Sequence, residues 1–222
     1  MLEGFNFRII WEYLPLYGQC FLATLWLSGL SLLGAIVVGI IACAMRLSQS
    51  RILRGIAGVY IETIRSTPLL AQLYFFYFGL PSMGIMLPEW VTGVIALTLN
   101  SGAYYAEIIR AGIQAIPYGQ IEAGIASGLS YFQRMRYIIL PQALGNTIRP
   151  MLGQAIILVK DSSLLSLISI MELTRAGQTL TSERFMPTEG FLTTAVFYLI
   201  IYYMLKAFSN WSEKRLIFKE AY

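Results

Sequence analysis

The stretch from Gly18 to Met45 in this sequence contains no Asp, Glu, Lys or Arg. A helix needs roughly 20 apolar residues to cross a hydrocarbon layer about 30 Å thick, because its backbone polar groups must be paired internally. The run also exceeds the apolar core of a secretory signal, which has about 7–15 residues. It therefore predicts a membrane-spanning helix that the protein retains.

Further apolar runs follow the first one along the chain. The sequence is 57% hydrophobic and 13% charged, whereas soluble domains average about 45–50% and about 25%. Read with their helix breakers, the runs predict an all-α polytopic membrane protein with five spans. No repeat or linker divides residues 1–222, so we expect one transmembrane domain with spans at about 18–45, 56–80, 90–112, 148–170 and 190–209.

The distribution of basic residues predicts the orientation, since Lys and Arg concentrate in cytoplasmic loops. The connection from Pro81 to Glu89 has none. Basic residues instead follow the first, third and fifth spans: Arg46, Arg51, Arg54, Arg110, Arg134, Arg136, Lys214, Arg215 and Lys219. We therefore expect the N-terminus outside and the C-terminus in the cytoplasm, with the mixed segment after the fourth span outside.

The residues between the third and fourth spans, about 113–141, are too polar to cross a membrane and predict two short cytoplasmic helices. Pro117 suits the first turn of one helix. Ser130 and Gln133 have capping-box spacing for the second helix, which we expect to end near Pro141. Small residues on the first helix would let another surface approach closely. An amphipathic helix lying on the bilayer is the alternative that periodicity leaves open.

One set of residues in this loop has a fixed spacing: Glu122, Ala123, Gly124, Gly128, Ile138, Leu140 and Pro141. The set resembles the EAA loop of ATP-binding-cassette (ABC) importer permeases, with Gly124 where the family pattern has Ala. In that family the loop helix docks in a cleft of the ATPase subunit and transmits its movement to the spans. The resemblance implies a coupling surface made of Glu122, Ala123, Gly124 and Gly128.

The resemblance extends over nearly the whole chain and indicates the polar amino-acid uptake branch of that family. It rests on four more segments, Arg65-Ser66-Thr67-Pro68, Tyr105 to Arg110, Gly119-Gln120 and Lys160 to Leu164. It implies a permease subunit that moves a polar or cationic amino acid across a prokaryotic cytoplasmic membrane by alternating access. The implied partners are two ATPase subunits that bind ATP and Mg, a second permease copy or homologue, and an external solute-binding protein.

Ionisable and polar side chains at membrane depth are costly, which makes them functional candidates. Asp161 is the only Asp in the sequence, and Gln154 precedes it by two helical turns on the same face. Either these side chains line a wet cavity, or Lys160 and Asp161 form a charge cluster that satisfies itself. Asn100 is either an interhelical hydrogen-bond partner or a ligand contact. Because the amino-acid branch contacts its substrate from these middle helices, the resemblance implies Asn100, Gln154 and Asp161 as substrate-binding residues.

A proline directly after Thr67 interrupts the second span and frees backbone carbonyls. Interrupted helices can present half-helix ends to a substrate carboxylate, so Arg65 and Thr67 are further candidate binding residues. An ion pair between Glu62 and Arg65, one turn apart, is the competing structural interpretation. Glu107 and Arg110, at the end of the third span, are expected to form a gate or packing pair.

Several function classes are excluded by what the sequence lacks. It has no Gly-rich loop ending in Lys and Ser/Thr, no His, and only two cysteines, Cys20 and Cys43, both in the first span. A phosphate cradle, a His/Cys metal site and His-based catalysis are therefore not expected, and no catalytic residue or bound cofactor is predicted. The scattered Lys and Arg do not form a nucleic-acid patch. An ion-driven secondary carrier or channel is the alternative function, because polar residues in interrupted spans serve those folds too. The loop motif distinguishes the two, since an ion-driven carrier does not need it.

Overall fold

The computed structural model describes residues 5–216, with side chains as far as Trp211, and every regular element in that range is a helix. Lys219, which supports the predicted orientation, lies outside the described residues. The helices are α1 Phe7–Leu47, α2 Arg51–Ser66, α3 Leu69–Tyr74, α4 Leu80–Ser82, α5 Glu89–Gln114, α6 Tyr118–Ala126, α7 Tyr131–Arg134, α8 Leu140–Asp161, α9 Leu173–Arg184 and α10 Pro187–Leu216. The predicted all-α class is confirmed.

Within the described residues, three helical stretches are long and apolar enough to cross a membrane by length and composition: Phe7–Leu47, Tyr131–Ile168 and Pro187–Trp211. They contain the predicted first, fourth and fifth spans. The predicted third span corresponds to α5. The predicted second span is divided between α2 and α3, with a π-helical stretch at Phe75–Gly79 leading into α4. The count of five spans remains a prediction.

Close packing of α1 on α5 depends on glycines that bring the two backbones together. A Cβ on Gly39 would lie 2.6 Å from Tyr105 Cβ, and one on Gly34 would lie 2.9 Å from Thr98 Cγ2. Since Gly34 lies beside Thr98 and Gly39 beside Tyr105, the two helices run parallel. The Tyr105 hydroxyl donates to the Met151 carbonyl over 3.0 Å, which joins α5 to α8.

The helix through α7 and α8 continues where we expected it to stop. The second loop helix was predicted to end near Pro141, but a π-helical stretch at Met135–Ile139 carries it into α8. The Leu140 N–H bonds to the Met135 carbonyl, five residues back. Pro141 follows this wide turn at the start of α8, where a missing N–H breaks no regular α-helical bond. The expected stop at Pro141 was therefore wrong.

The bundle has two different ends. The loop end comprises Leu47, Gln114, α6 and α7. The opposite end, called the α9 end here, comprises α9 and the first halves of α1 and α10. There Tyr17, Leu173, Ala176 and Leu180 are fully buried in one hydrophobic cluster. The sequence analysis made no secondary-structure prediction for the segment after the fourth span, so α9 was missed.

Candidate functional site: the loop end and the polar interior

The helix α6 ends in a turn that only glycine accommodates easily. Gly128 has φ = +76°, in the left-handed region, and the Leu129 N–H bonds to the Gly124 carbonyl over 3.0 Å. This is the hydrogen-bond pattern of a Schellman cap. Glu122 and Ala123 are exposed, and nothing lies within 4 Å of a Cβ built on Gly128. These three residues therefore form an open surface at the end of α6.

Gly124 does not belong to that open surface, contrary to the sequence prediction. It is buried, and a Cβ there would lie 2.8 Å from Ile138 Cδ1 and 3.1 Å from Arg134 Cδ. Arg134 also donates to the Leu129 carbonyl over 2.6 Å. Gly124 thus allows α6 to pack against the α7–α8 helix, which explains why glycine suits this position of the motif.

The second loop helix begins as predicted. Ser130 accepts from the Gln133 N–H over 3.4 Å, and the Gln133 side chain accepts from the Ser130 N–H over 2.8 Å. This reciprocal pair confirms the predicted capping box.

At the break in the second span, free backbone carbonyls accept hydrogen bonds from Gln72, a residue that the sequence analysis did not name as a candidate. Gln72 Nε2 donates to the Ile64 carbonyl over 2.8 Å and to the Thr67 carbonyl over 3.1 Å. Gln72 Oε1 accepts from Asn100 Nδ2 over 3.0 Å. Gln72 and Asn100 are both buried. Asn100 therefore makes the interhelical hydrogen bond, which was one of its two predicted roles.

Thr67 takes part in the same network. Its hydroxyl donates to the Thr63 carbonyl over 2.9 Å and accepts from Gln72 Nε2 over 2.9 Å. The carbonyls that the proline break leaves without helical partners are thus paired by Thr67 and Gln72. We name Thr67, Gln72 and Asn100 the hinge network.

The ion pairs near the loop end differ from the prediction. Glu62 pairs with Arg46 over 3.7 Å, and Arg65 lies 3.7 Å from Glu107, so the expected Glu62–Arg65 pair was wrong. Glu62 and Arg65, both on α2, therefore contact residues of α1 and α5 and not each other. Glu107 and Arg110 form the expected pair, through contacts of 2.9 and 2.6 Å.

The polar residues of α8 lie apart from the hinge network in the described contacts. Asp161 is partly buried and, within residues 5–211, makes no hydrogen bond or ion pair through its carboxylate. Lys160 points elsewhere, with Nζ 5.9 Å from the centre of the Tyr202 ring. Lys160 and Asp161 therefore do not form an ion pair with each other. Gln154 is buried on the same helix, with 7% of its surface exposed.

A buried carboxylate at the α9 end was also missed. Glu172 is 0% exposed and caps α9, accepting from the N–H groups of Thr174 and Arg175 over 2.9 and 2.8 Å. Tyr198 donates its hydroxyl to Glu172 over 2.7 Å. Burial raises the pKa of the Glu172 carboxyl, and these hydrogen bonds oppose the rise. An acidic residue just before a helix was the available signal.

The arrangement can hold polar groups along the bundle and present a helix at one end. Among the described residues, no three His, Cys, Asp or Glu side chains gather closely enough to hold a metal ion. A helical bundle with an interrupted helix, an unpaired interior carboxylate and a projecting loop helix defines a membrane transport subunit.

The chain belongs to the family described as binding-protein-dependent transport system inner membrane component, which matches residues 35–218. It is an ABC importer permease of the amino-acid branch. The glutamine transport system permease protein GlnP of Escherichia coli K12 is 39% identical over 214 residues, covering 96% of this chain and 98% of the relative. The probable glutamine ABC transporter permease protein GlnM of Bacillus subtilis 168 is 37% identical, covering 95% and 98%.

Two solved structures have a similar fold. A crystal structure of an amino acid ABC transporter with histidines has a TM-score of 0.91 and 35% identity, covering 95% of this chain and 98% of that chain. An inward-facing structure of the MetNI methionine ABC transporter has a TM-score of 0.70, with coverage of 95% and 99%. At 18% identity the second structure supports the fold alone.

Proposed function

We propose that this chain is the membrane-spanning subunit of an importer that carries a polar or cationic amino acid into a prokaryotic cell, driven by ATP hydrolysis in partner subunits. The observation that carries the proposal is the loop end, where Glu122, Ala123 and Gly128 are exposed on a capped helix. One of two ATPase subunits docks there. A second permease copy or homologue completes the translocation path, and a solute-binding protein delivers the substrate from outside.

The orientation places the loop end in the cytoplasm and the α9 end outside. The parallel packing of α1 and α5, shown by Gly39 beside Tyr105, agrees with first and third spans that cross in the same direction. Both helices carry a basic residue near their loop-end terminus, Arg46 in α1 and Arg110 in α5. The N-terminus then lies outside, and the C-terminus lies in the cytoplasm.

Asp161 is the residue that we propose binds the positively charged ammonium group of the substrate. An unpaired carboxylate in a helix is costly at membrane depth unless water or a ligand reaches it. Gln154, two turns away on the same face, is placed to bind a polar side chain. The relatives GlnP and GlnM are named for glutamine, and glutamine carries an ammonium group that fits Asp161. We therefore take glutamine as the first substrate to test.

The alternating movement uses two features of the chain. The ATPase pair closes on α6, whose packing through Gly124 against Ile138 passes the movement into the α7–α8 helix. The interrupted second span, held by Gln72 against Asn100, then supplies a point where the bundle can bend. Asp161 is exposed alternately to the two sides.

The experiment is glutamine uptake into proteoliposomes that contain the complete transporter, with ATP and Mg sealed inside and the solute-binding protein outside. The test variant is Gly128→Trp. The matched control is Gly84→Trp, because Gly84 also has positive φ, +84° against +76°, and also has open space around it. Both variants bear the same backbone strain, but Gly84 lies between α4 and α5, away from α6.

We expect wild type and Gly84→Trp to take up glutamine only with ATP, and Gly128→Trp to lose uptake and lose the ATPase on purification. Uptake that depends on an ion gradient and tolerates Gly128→Trp would show an ion-driven carrier instead. Equal loss in both variants would show that backbone strain, and not docking, explains the effect.

A further inference from the structure

A cavity of about 450 Å³ opens between α2, α5 and α8 near the loop end. Its polar lining consists of Arg65, Tyr104, Glu107 and Asn146. Its volume is within the range of about 300–1,000 Å³ that is usual for small-molecule sites. Neither of the two substrate-binding candidates on α8, Gln154 and Asp161, lines this cavity. The cavity is therefore a second place where a transported molecule could be held.

The Arg65 guanidinium in this cavity has donors that the protein does not use. Its contact with Glu107 Oε2 is 3.7 Å, longer than a hydrogen bond, and no hydrogen bond from Arg65 forms within residues 5–211. The group nevertheless has a fixed position, with Cζ 5.4 Å from the centre of the Tyr104 ring. Its side chain is 44% exposed. A planar guanidinium that makes no hydrogen bond of its own favours a carboxylate ligand, which it can bind through two hydrogen bonds.

The neighbouring Glu107 restricts what that ligand can be. Both of its oxygens accept from Arg110, yet each oxygen has a further lone pair and the side chain is 21% exposed. A simple anion at Arg65 would be repelled by this carboxylate, which lies 3.7 Å away. A molecule that bears a carboxylate and an ammonium group on one carbon atom offers a negative charge to Arg65 and a positive charge to Glu107. Asn146, an exposed amide in the lining, can meet a polar side chain.

We propose that this cavity is a second amino-acid site, in which Arg65 binds the α-carboxylate, Glu107 faces the ammonium group and Tyr104 forms a wall. It lies at the loop end and is occupied from the cytoplasmic side, after the substrate has left Asp161. The inference rests on the proposed function for the choice of ligand and for the side of the membrane. The site itself rests on the cavity and on the Arg65 guanidinium, whose donors make no hydrogen bond within residues 5–211.

The test uses the same proteoliposomes, loaded with ATP and increasing glutamine in the lumen, and measures the initial rate of labelled glutamine uptake. Two other lumenal probes are glutaminamide, which lacks the carboxylate, and acetate, which lacks the ammonium group. The variants are Arg65→Gln, Arg65→Lys and, as a matched control, Arg46→Gln. Arg46 also makes a 3.7 Å ion pair, with Glu62, and is similarly exposed at 34%, but does not line the cavity.

We expect lumenal glutamine to slow wild-type uptake and the two other probes not to do so. Arg65→Gln should raise the half-inhibitory glutamine concentration about 10- to 100-fold, as expected for loss of a charged hydrogen-bonding partner. Arg65→Lys should show a smaller shift, and Arg46→Gln none. Inhibition that is unchanged in Arg65→Gln, absent in wild type, or equally strong with acetate or glutaminamide would overturn the site.

Equilibrium binding of labelled glutamine to the purified transporter without ATP separates this inference from the proposed function. If uptake does not depend on ATP but Arg65→Gln still weakens binding and Arg46→Gln does not, the proposed function fails and the site stands. If uptake depends on ATP while binding is the same in wild type and Arg65→Gln, the site fails and the function stands.

Discussion

The two ends of the bundle use their polar groups in opposite ways. At the α9 end the chain satisfies its own polar atoms: Glu172 accepts three hydrogen bonds, and the Tyr17 hydroxyl donates to the Gly190 carbonyl over 2.6 Å. At the loop end Glu122 and Ser127 are exposed, and Gly128 has open space around it. The α9 end is thus complete within one chain, whereas the loop end presents a surface for a partner.

This difference predicts that substitutions at the α9 end destabilise the fold, whereas substitutions at the loop end disturb only the contact with the ATPase. Buried hydrogen-bonded groups and close backbone contacts are expensive to disturb. Exposed positions on a short helix tolerate substitution unless a partner covers them. The same chemical change made at both ends should therefore give different results, and four comparisons test this.

The largest effect is expected from filling a close helix contact at the α9 end. A Cβ on Gly177 would lie 3.1 Å from the Gly190 carbonyl oxygen and would overlap Thr194. We expect Gly177→Leu to cost about 3 kcal/mol of stability, the upper range for overpacking. Gly119→Leu on α6, where nothing lies within 4 Å of the added Cβ, should stay within about 0.5 kcal/mol. Thermal unfolding in detergent measures both, and equal losses would break the comparison.

The two helix caps give the next largest difference. Glu172→Ala would leave the Thr174 and Arg175 N–H groups and the Tyr198 hydroxyl without their acceptor, and should cost about 2–3 kcal/mol. Ser130→Ala removes an exposed cap and should cost about 1 kcal/mol. Denaturant titration of the purified variants measures the two losses. A cost at Ser130 as large as that at Glu172 would contradict the distinction between the ends.

Variants of the hinge network test whether polar groups in the middle of the bundle are also paired within the chain. A double-mutant cycle with Gln72→Leu and Asn100→Leu should give a coupling energy of about 0.6–1.7 kcal/mol, the range for hydrogen bonds between membrane helices. Both single variants should change the KM for uptake in the same direction, since each removes the same 3.0 Å bond, and Gln72→Leu should have the larger effect because it also removes the bonds to the α2 carbonyls. A KM change confined to Asn100→Leu would instead assign Asn100 to substrate contact.

The smallest effect concerns pH. Burial raises the pKa of Glu172 in the folded protein, so the folded state holds this proton more tightly than the unfolded state. The resulting stabilisation is complete below the unfolded pKa and is lost as pH rises through the folded pKa. The stability of wild type relative to Glu172→Gln should therefore fall as the pH rises above about 4, the usual pKa of an unfolded glutamate. A flat difference above that pH would contradict the burial of a titrating carboxyl.

The sequence was sufficient for features with strong local signals. The uncharged run from Gly18 to Met45 lies inside α1, and Ser130 begins a helix with the predicted cap. The twelve residues of α9 were not predicted because their composition is polar and α9 forms by packing on α1 and α10, with Leu173 and Leu180 fully buried. Tertiary packing can stabilise a helix that periodicity alone does not reveal.

The site was only partly predictable because contacts between distant residues decide each role. Arg65 is placed correctly beside the break in the second span, but its neighbour is Glu107, not Glu62. Gln72 was missed because nothing in the sequence around a glutamine in an apolar run shows that it will bond the backbone carbonyls freed by the proline break. Gly124 matched the motif, yet its side of α6 faces Ile138 instead of a partner.

The most direct test of the contrast between the ends is cysteine cross-linking to the ATPase in the assembled transporter. Ser127→Cys and Ser182→Cys make the same change at exposed helix positions at the loop end and the α9 end, and the native Cys20 and Cys43 are buried. We predict that the ATPase cross-links to Ser127→Cys, that added nucleotide changes the yield, and that Ser182→Cys gives no product. Cross-linking at Ser182→Cys, or none at Ser127→Cys, would contradict docking at the loop end.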